Sequence, residues 1–197
     1  MYDPRRAAPP PTAPAAGVVY SRGPPGHDPT ATAGRAPHKE VPIKTMDDET
    51  APPFKLLYET AATATGGRMG HTATADGKLA LDLSRPRALG GDDGPGVNPE
   101  QLFALGYAAC FHSAVQSAAR QRHLDVSGSQ ITARVGLGRA APGEVTLVVT
   151  LQGYFPTLEE PVARALLEAG HQICPYSKAT RGNILVTLEV VAADGPV

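Results

Sequence analysis

The stretch "NPEQLFALGYAACFHSA", residues 98–114, decides how the rest of the chain is read. Asn98 is a good N-cap, Pro99 suits the first helical position, and Gln101 stands three residues after the cap, so a helix starts here. The pattern continues to about Arg122. Phe103, Gly106, Cys110, Ala114 and Ser117 recur every three or four residues and share one face, with Ala109 and Ser113 beside them. That spacing predicts a buried, closely packed face with Cys110 in its middle. Helix pattern alone reads the cysteine as core filling, because a free thiol behaves as a small hydrophobe.

On either side of this helix the texture is that of strands. Upstream, "KLLYETAATAT" (55–65), "HTATAD" (71–76) and "LALDL" (79–83) are β-branched or alternating runs separated by "GGRMG" and "DGK", which predicts a meander with tight turns. The glycine-rich loop "LGGDDGPGV" (89–97) leads into the helix. Downstream, "QITARVGLGR" (130–139) and "EVTLVVTLQGYF" (144–155) alternate around an "AAPG" turn and form a hairpin. Thr157 and Glu160 have capping-box spacing and predict a second helix to about His171. Cys174-Pro175 begins another short helical turn, and "ILVTLEVV" (184–191) forms the last strand. The order βββ-α-ββ-α-β, with helices between antiparallel hairpins, is that of an α+β domain.

Residues 1–53 are different. Twelve of the 20 prolines in this 197-residue chain fall there, among Ala, Gly and Thr, so the segment has too little apolar surface to offset its ordering entropy. It reads as a disordered N-terminal extension, and residues 54–197 as one folded domain. Its arginines leave organelle targeting open, while its prolines argue against the amphipathic helix such a signal uses. A formal net charge of -1 and the absence of Trp give no footprint for nucleic acid or an anionic membrane. With no long apolar run and no secretory signal, a soluble cytoplasmic protein is expected.

Cys110 and Cys174 are too few for a secreted disulfide scaffold and do not form a C-x-x-C pair. A functional cysteine needs its thiolate, which apolar burial opposes. Cys110 lies about three turns into its helix, beyond the reach of that helix's own dipole. A side chain must supply positive charge, and Arg68 in the glycine-flanked "TGGRMG" loop is the candidate; its ordinary alternative is a solvated arginine in a hairpin turn. Glu100 is a natural partner for that arginine, and also an acid well placed at a helix start. Glu100 and Cys110 are about 15 Å apart along a straight helix, so a site using both draws most simply on two chains of a dimer. Cys174, as N-cap before Pro175, has free amide donors near its sulfur. A Cys110–Cys174 bond is open to two readings, a stabilising disulfide and a transient one formed during turnover. Zinc is a further possibility, since Cys110, His112, His171 and Cys174 are all acceptable ligands, but Cys110 and His112 stand about 200° apart around their helix. No metal site is expected.

Together "TATGGRMG", "GGDDGPGVNPEQLFALGYAACFHSA" and "HQICPYSKATRGNILVTL" resemble the organic hydroperoxide resistance (Ohr) proteins of the Ohr/OsmC family, across residues 55–191 in order. The resemblance implies an OsmC-like intertwined homodimer with two sites at the subunit interface. It implies a peroxidatic site of Arg68, Glu100 and Cys110, with Cys174 as resolving cysteine; Ile173 stands where the family has Val. The implied activity is that of a thiol peroxidase reducing organic hydroperoxides to alcohols, with no bound cofactor, through a Cys110 sulfenic acid and a Cys110–Cys174 disulfide. Dihydrolipoyl groups on lipoylated proteins are the implied reductant. Leu102, Phe103 and Phe111 are expected to line an apolar cavity favouring alkyl and fatty-acid hydroperoxides. The alternatives are a peroxidase of the OsmC branch, a non-catalytic peroxide sensor of the same fold, and a zinc-binding structural module.

Overall fold

The computed structural model describes residues 55–141 and 144–191. The expected disorder of residues 1–53 lies outside the described residues, as do Pro142 and Gly143 of the "AAPG" turn. Strands β1 (Ala62–Thr65), β2 (His71–Thr74) and β3 (Ala80–Asp82) form an antiparallel meander. Helix α1 (Pro99–Gln121) follows, then β4 (Gln130–Ala141) and β5 (Glu144–Tyr154), α2 (Glu160–Ile173), the short α3 (Pro175–Thr180) and β6 (Leu185–Val190). The α+β order is the expected one, with the second sheet ordered β4-β5-β6.

β6 runs parallel to β5, from Val148–Leu185 to Gly153–Val190, while β4 and β5 are antiparallel. A parallel neighbour needs a crossover, and α2 with α3 supplies it. The first strand is shorter than its sequence run, since residues 55–61 carry no strand pairing.

The core lies between α1, α2 and the inner face of β4-β5-β6. α2 contributes Ala163, Leu166, Leu167 and Gly170, at i, i+3, i+4 and i+7. α1 meets it at Gly170, where a Cβ would stand 2.6 Å from Val115 Cγ2 and 3.3 Å from the Val115 backbone. Only a bare Cα lets the helices approach so closely. The buried stripe of α1 is Tyr107, Phe111, Val115 and Ala118, flanked by Ala114 and Ala119. It is rotated from the expected one. Of the expected face Ala114 is buried, Phe103, Gly106 and Cys110 are half-buried at the edge, and Ala109 and Ser113 face outward. Small residues blurred the pattern, because Ala packs tolerably on either side of a helix, whereas the large Tyr107 and Phe111 do not.

The capping box at Asn98 forms as expected: Gln101 N–H donates to Asn98 Oδ1 at 2.9 Å, and Asn98 N–H donates to Gln101 Oε1 at 2.8 Å. The one expected at Thr157 does not. Glu159 is the N-cap of α2 without a side-chain bond, and Thr157 Oγ1 donates to the Asp125 carbonyl at 2.7 Å. The hydroxyl is turned to that carbonyl, and the helix starts two residues later than the capping-box spacing predicts. Among the described residues no helix is long and apolar enough to cross a membrane.

Candidate active site

Arg68 sits in a 3-10 turn, Gly67–Met69, between β1 and β2. Gly66 (φ 70°) and Gly67 (φ 57°) are left-handed, and a Cβ on Gly70 would lie 1.8 Å from the Thr65 carbonyl oxygen, so the tight return of "GGRMG" requires glycine there. A parallel bridge between Leu83 and Val97 ties the meander to the segment that enters α1. The arginine thereby reaches Glu100. Its Nη1 donates to Oε2 at 2.8 Å and its Nη2 to Oε1 at 2.6 Å, a two-point fork between a planar cation and a carboxylate. Glu100 is largely covered, with 12% of its side chain exposed against 35% for Arg68. The hydrogen bonds from Arg68 hold the Glu100 carboxyl below its ordinary range, and those to Glu100 raise the guanidinium. Glu100 is also in the first turn of α1, where the helix favours an anion.

The two cysteines meet at the middle of α1. Both are free thiols, and their sulfurs are 3.6 Å apart, Cys110 partly exposed and Cys174 fully buried. Cys174 is the residue at which α2 ends and the N-cap from which α3 starts, with Pro175 at the first helical position, as the sequence predicts. Burial pushes the Cys110 thiol up, the backbone N–H of Tyr176 favours the thiolate, and the neighbouring Cys174 raises it further. Sequence reasoning placed the free amides of this turn at the Cys174 sulfur, and not at Cys110. It looked for a dipole at the start of α1, whereas the donor comes from α3, packed across the helix.

The four residues therefore form two pairs, Arg68 with Glu100 and Cys110 with Cys174. Nothing among the causes acting on the Cys110 thiol comes from Arg68 of the same chain. An apolar groove of about 300 Å³ runs beside Glu100, lined by Pro86, Leu89, Ala104, Val135 and Leu137 among others. The expected lining residue Phe111 is instead fully buried in the core, with its ring edge-on to Tyr107. His112 turns to Ser129, with Nε2 and Oγ 3.0 Å apart, and burial lowers its pKa. Among the described residues no group of three or more His, Cys, Asp or Glu could hold a metal ion.

A fold of two small sheets around one long helix, with an arginine–glutamate fork at its start and paired thiols at its middle, defines an OsmC-like domain. A family model described as OsmC-like protein matches residues 90–189. The organic hydroperoxide resistance protein of Xanthomonas axonopodis pv. citri is 49% identical over 139 residues, covering 70% of this chain and 97% of the relative. OhrB of Bacillus subtilis is 42% identical over 135 residues, covering 68% and 98%. Among solved structures, an organic hydroperoxide resistance protein from Legionella pneumophila superposes with a TM-score of 0.66 at 45% identity, over 70% of this chain and all of that one. One from Vibrio cholerae, with captopril bound in one of its active sites, gives 0.65 at 44% identity, over 71% and 95%. The chain belongs to the OsmC-like family, on its organic hydroperoxide resistance branch.

Proposed function

We propose that this protein is a thiol peroxidase that detoxifies organic hydroperoxides, with Cys110 as the attacking residue and Cys174 as its resolving partner. The 3.6 Å approach of a partly exposed thiol to a buried one carries the reading. The Cys110 thiolate attacks the terminal peroxide oxygen, and the O–O bond breaks. The alkoxide leaves and takes a proton as the alcohol, and Cys110 holds the other oxygen as sulfenic acid. Cys174 then attacks the Cys110 sulfur, the S–O bond breaks, water leaves with the thiol proton, and a disulfide remains. A dithiol of the dihydrolipoyl class restores both thiols by exchange, becoming a cyclic disulfide itself.

Arg68 in this scheme stabilises the Cys110 thiolate and the charge on the departing oxygen, and Glu100 fixes its orientation. Glu100 is in the first turn of α1 and Cys110 at its midpoint, about 15 Å further along the helix, so we assign each site to two chains of a homodimer, with the fork of one facing the thiols of the other. The exposed strand β1, and the exposed Leu57, Tyr58, Met69 and Leu79 around the meander, support a covering partner, since an isolated meander is marginal in water. The apolar groove beside Glu100 suits an alkyl tail, each buried methylene being worth about 0.8 kcal/mol. A cycle that returns both cysteines to thiols belongs in a reducing compartment, the cytoplasm.

Steady-state consumption of tert-butyl or fatty-acyl hydroperoxide with dihydrolipoamide tests the assignment. Multiple turnovers, faster than with hydrogen peroxide, are expected. Oxidation that stops at one equivalent would mean a sensor, and a preference for hydrogen peroxide would remove the alkyl-tail argument.

A further inference from the structure

α3 carries both groups that meet Cys110, the Cys174 thiol and the Tyr176 amide, yet it has only six residues and its N-cap makes no side-chain bond. A helix that short has no stability of its own, so something must hold it in place. The hydroxyl of Tyr107, a fully buried side chain of α1, is 3.0 Å from Ser177 Oγ and 3.2 Å from Thr180 Oγ1. Both partners are on α3 and both are buried. Thr180 directs its proton to the carbonyls of Tyr176 and Ser177. Tyr107 therefore donates to Thr180 and accepts from Ser177, so each hydroxyl proton is used once.

The register places this clasp beside the thiols. Tyr107 and Cys110 are three apart on α1, and Ser177 and Cys174 are three apart on α3, in the opposite sense. The Tyr107–Ser177 bond and the Cys110–Cys174 contact are thus neighbouring rungs of one seam, about 4.5 Å apart along α1. The Tyr176 ring completes it, leaning over Gly106 with Oη 3.1 Å from where a Cβ would be, and 5.8 Å from the Tyr107 ring centre.

We propose that Tyr107 is a positioning residue for the resolving step: its hydroxyl fixes α3 so that Cys174 is held against Cys110. The proposal rests on the peroxidase reading for its biological sense, but its core concerns only the thiol pair. When Cys110 is a sulfenic acid, Cys174 must attack before a second hydroperoxide adds another oxygen; a loosened α3 lowers the local concentration of that thiol and diverts Cys110 to sulfinic acid.

The test uses the full chain and two readouts. The first is the exchange equilibrium with oxidised dithiothreitol, in which the protein dithiol becomes disulfide as the reagent is reduced, with no peroxide present. The second is the sulfinic fraction, by intact mass, after excess tert-butyl hydroperoxide. Tyr107→Phe is expected to shift the exchange constant against the disulfide roughly tenfold, the worth of about one buried hydrogen bond, and to raise the sulfinic fraction. Ser177→Ala is expected to move both the same way. Val149→Ala, in the core away from the seam, is the control for lost stability and is expected to keep the parent exchange constant. A Tyr107→Phe protein with the parent's constant, a Val149→Ala protein matching Tyr107→Phe, or a parent forming no Cys110–Cys174 disulfide would each overturn the proposal. A parent that exchanges normally but consumes no hydroperoxide would defeat the peroxidase reading and leave the positioning role standing.

Discussion

Cys110 and Cys174 are the same side chain in different surroundings, and the division of labour follows from that. Cys110 is open to a small reagent and Cys174 is not. Cys110→Ser is expected to abolish turnover. Cys174→Ser is expected to undergo the first oxidation and then to accumulate sulfinic acid, which intact-mass spectra after peroxide treatment check. Burial holds the Cys110 thiol above its usual range, against the pull of the Tyr176 amide, so an added cation matters. In a Cys174→Ser background, where Cys110 is the one remaining thiol, Arg68→Ala is expected to raise its pKa, read by ultraviolet thiolate absorbance. In the otherwise unaltered chain the same change is expected to slow turnover on the order of 100-fold, as for removal of one preorganised charge-stabilising donor. The acid side has a definite sign. The Glu100 carboxyl is depressed by Arg68, so the fork's contribution is complete above the ordinary carboxylate pKa of about 4.3 and is lost only as pH falls through the lower, folded value. From pH 5 upward, activity is expected to follow Cys110 ionisation alone and rise with pH. Arg68, Glu100 and Cys174 stood out as candidates through a loop and two caps, which are local signals, whereas helix pattern alone read Cys110 as core filling and only the family motif singled it out. Tyr107 was not singled out, although it lies three residues before Cys110. Its hydroxyl finds Ser177 70 residues later, and no local pattern encodes that meeting.

At the scale of elements, two glycines govern the placement of the pairs. Gly170→Ala forces α1 and α2 apart at Val115 and is expected to cost about 1–3 kcal/mol, measured by urea unfolding, as overpacking a tight core does. Gly70→Ala collides with the Thr65 carbonyl in a loop with no core to disrupt, so it is expected to leave the urea midpoint nearly unchanged while lowering activity as Arg68→Ala does. α1 and its capping box were readable because propensity, cap and periodicity agree there. The start of α2 was not, since Thr157 serves Asp125 instead of its own helix. The parallel direction of β6 was equally hidden, because alternation gives a strand its faces and says nothing of its neighbour's direction.

For the whole molecule, the separation of the two pairs along α1 is decisive. If a fork from one chain serves the thiols of another, mixing Cys110→Ser chains with Glu100→Ala chains yields mixed dimers with one intact site. About a quarter of the parent activity is then expected from random exchange, half the dimers being mixed and half their sites complete. Recovery no greater than either variant alone would return the site to a single chain.

The separation of 64 positions between the two cysteines also sets an order of events during synthesis. Cys110 leaves the ribosome on a helix whose apolar stripe has nothing yet to rest on, while Cys174 follows only after β4, β5 and α2. The thiols can pair only after α2 has crossed α1 at Gly170. Nascent chains arrested before α2 emerges are therefore expected to be readily alkylated at Cys110, and the partnership of the two cysteines to be an event of the finished protein.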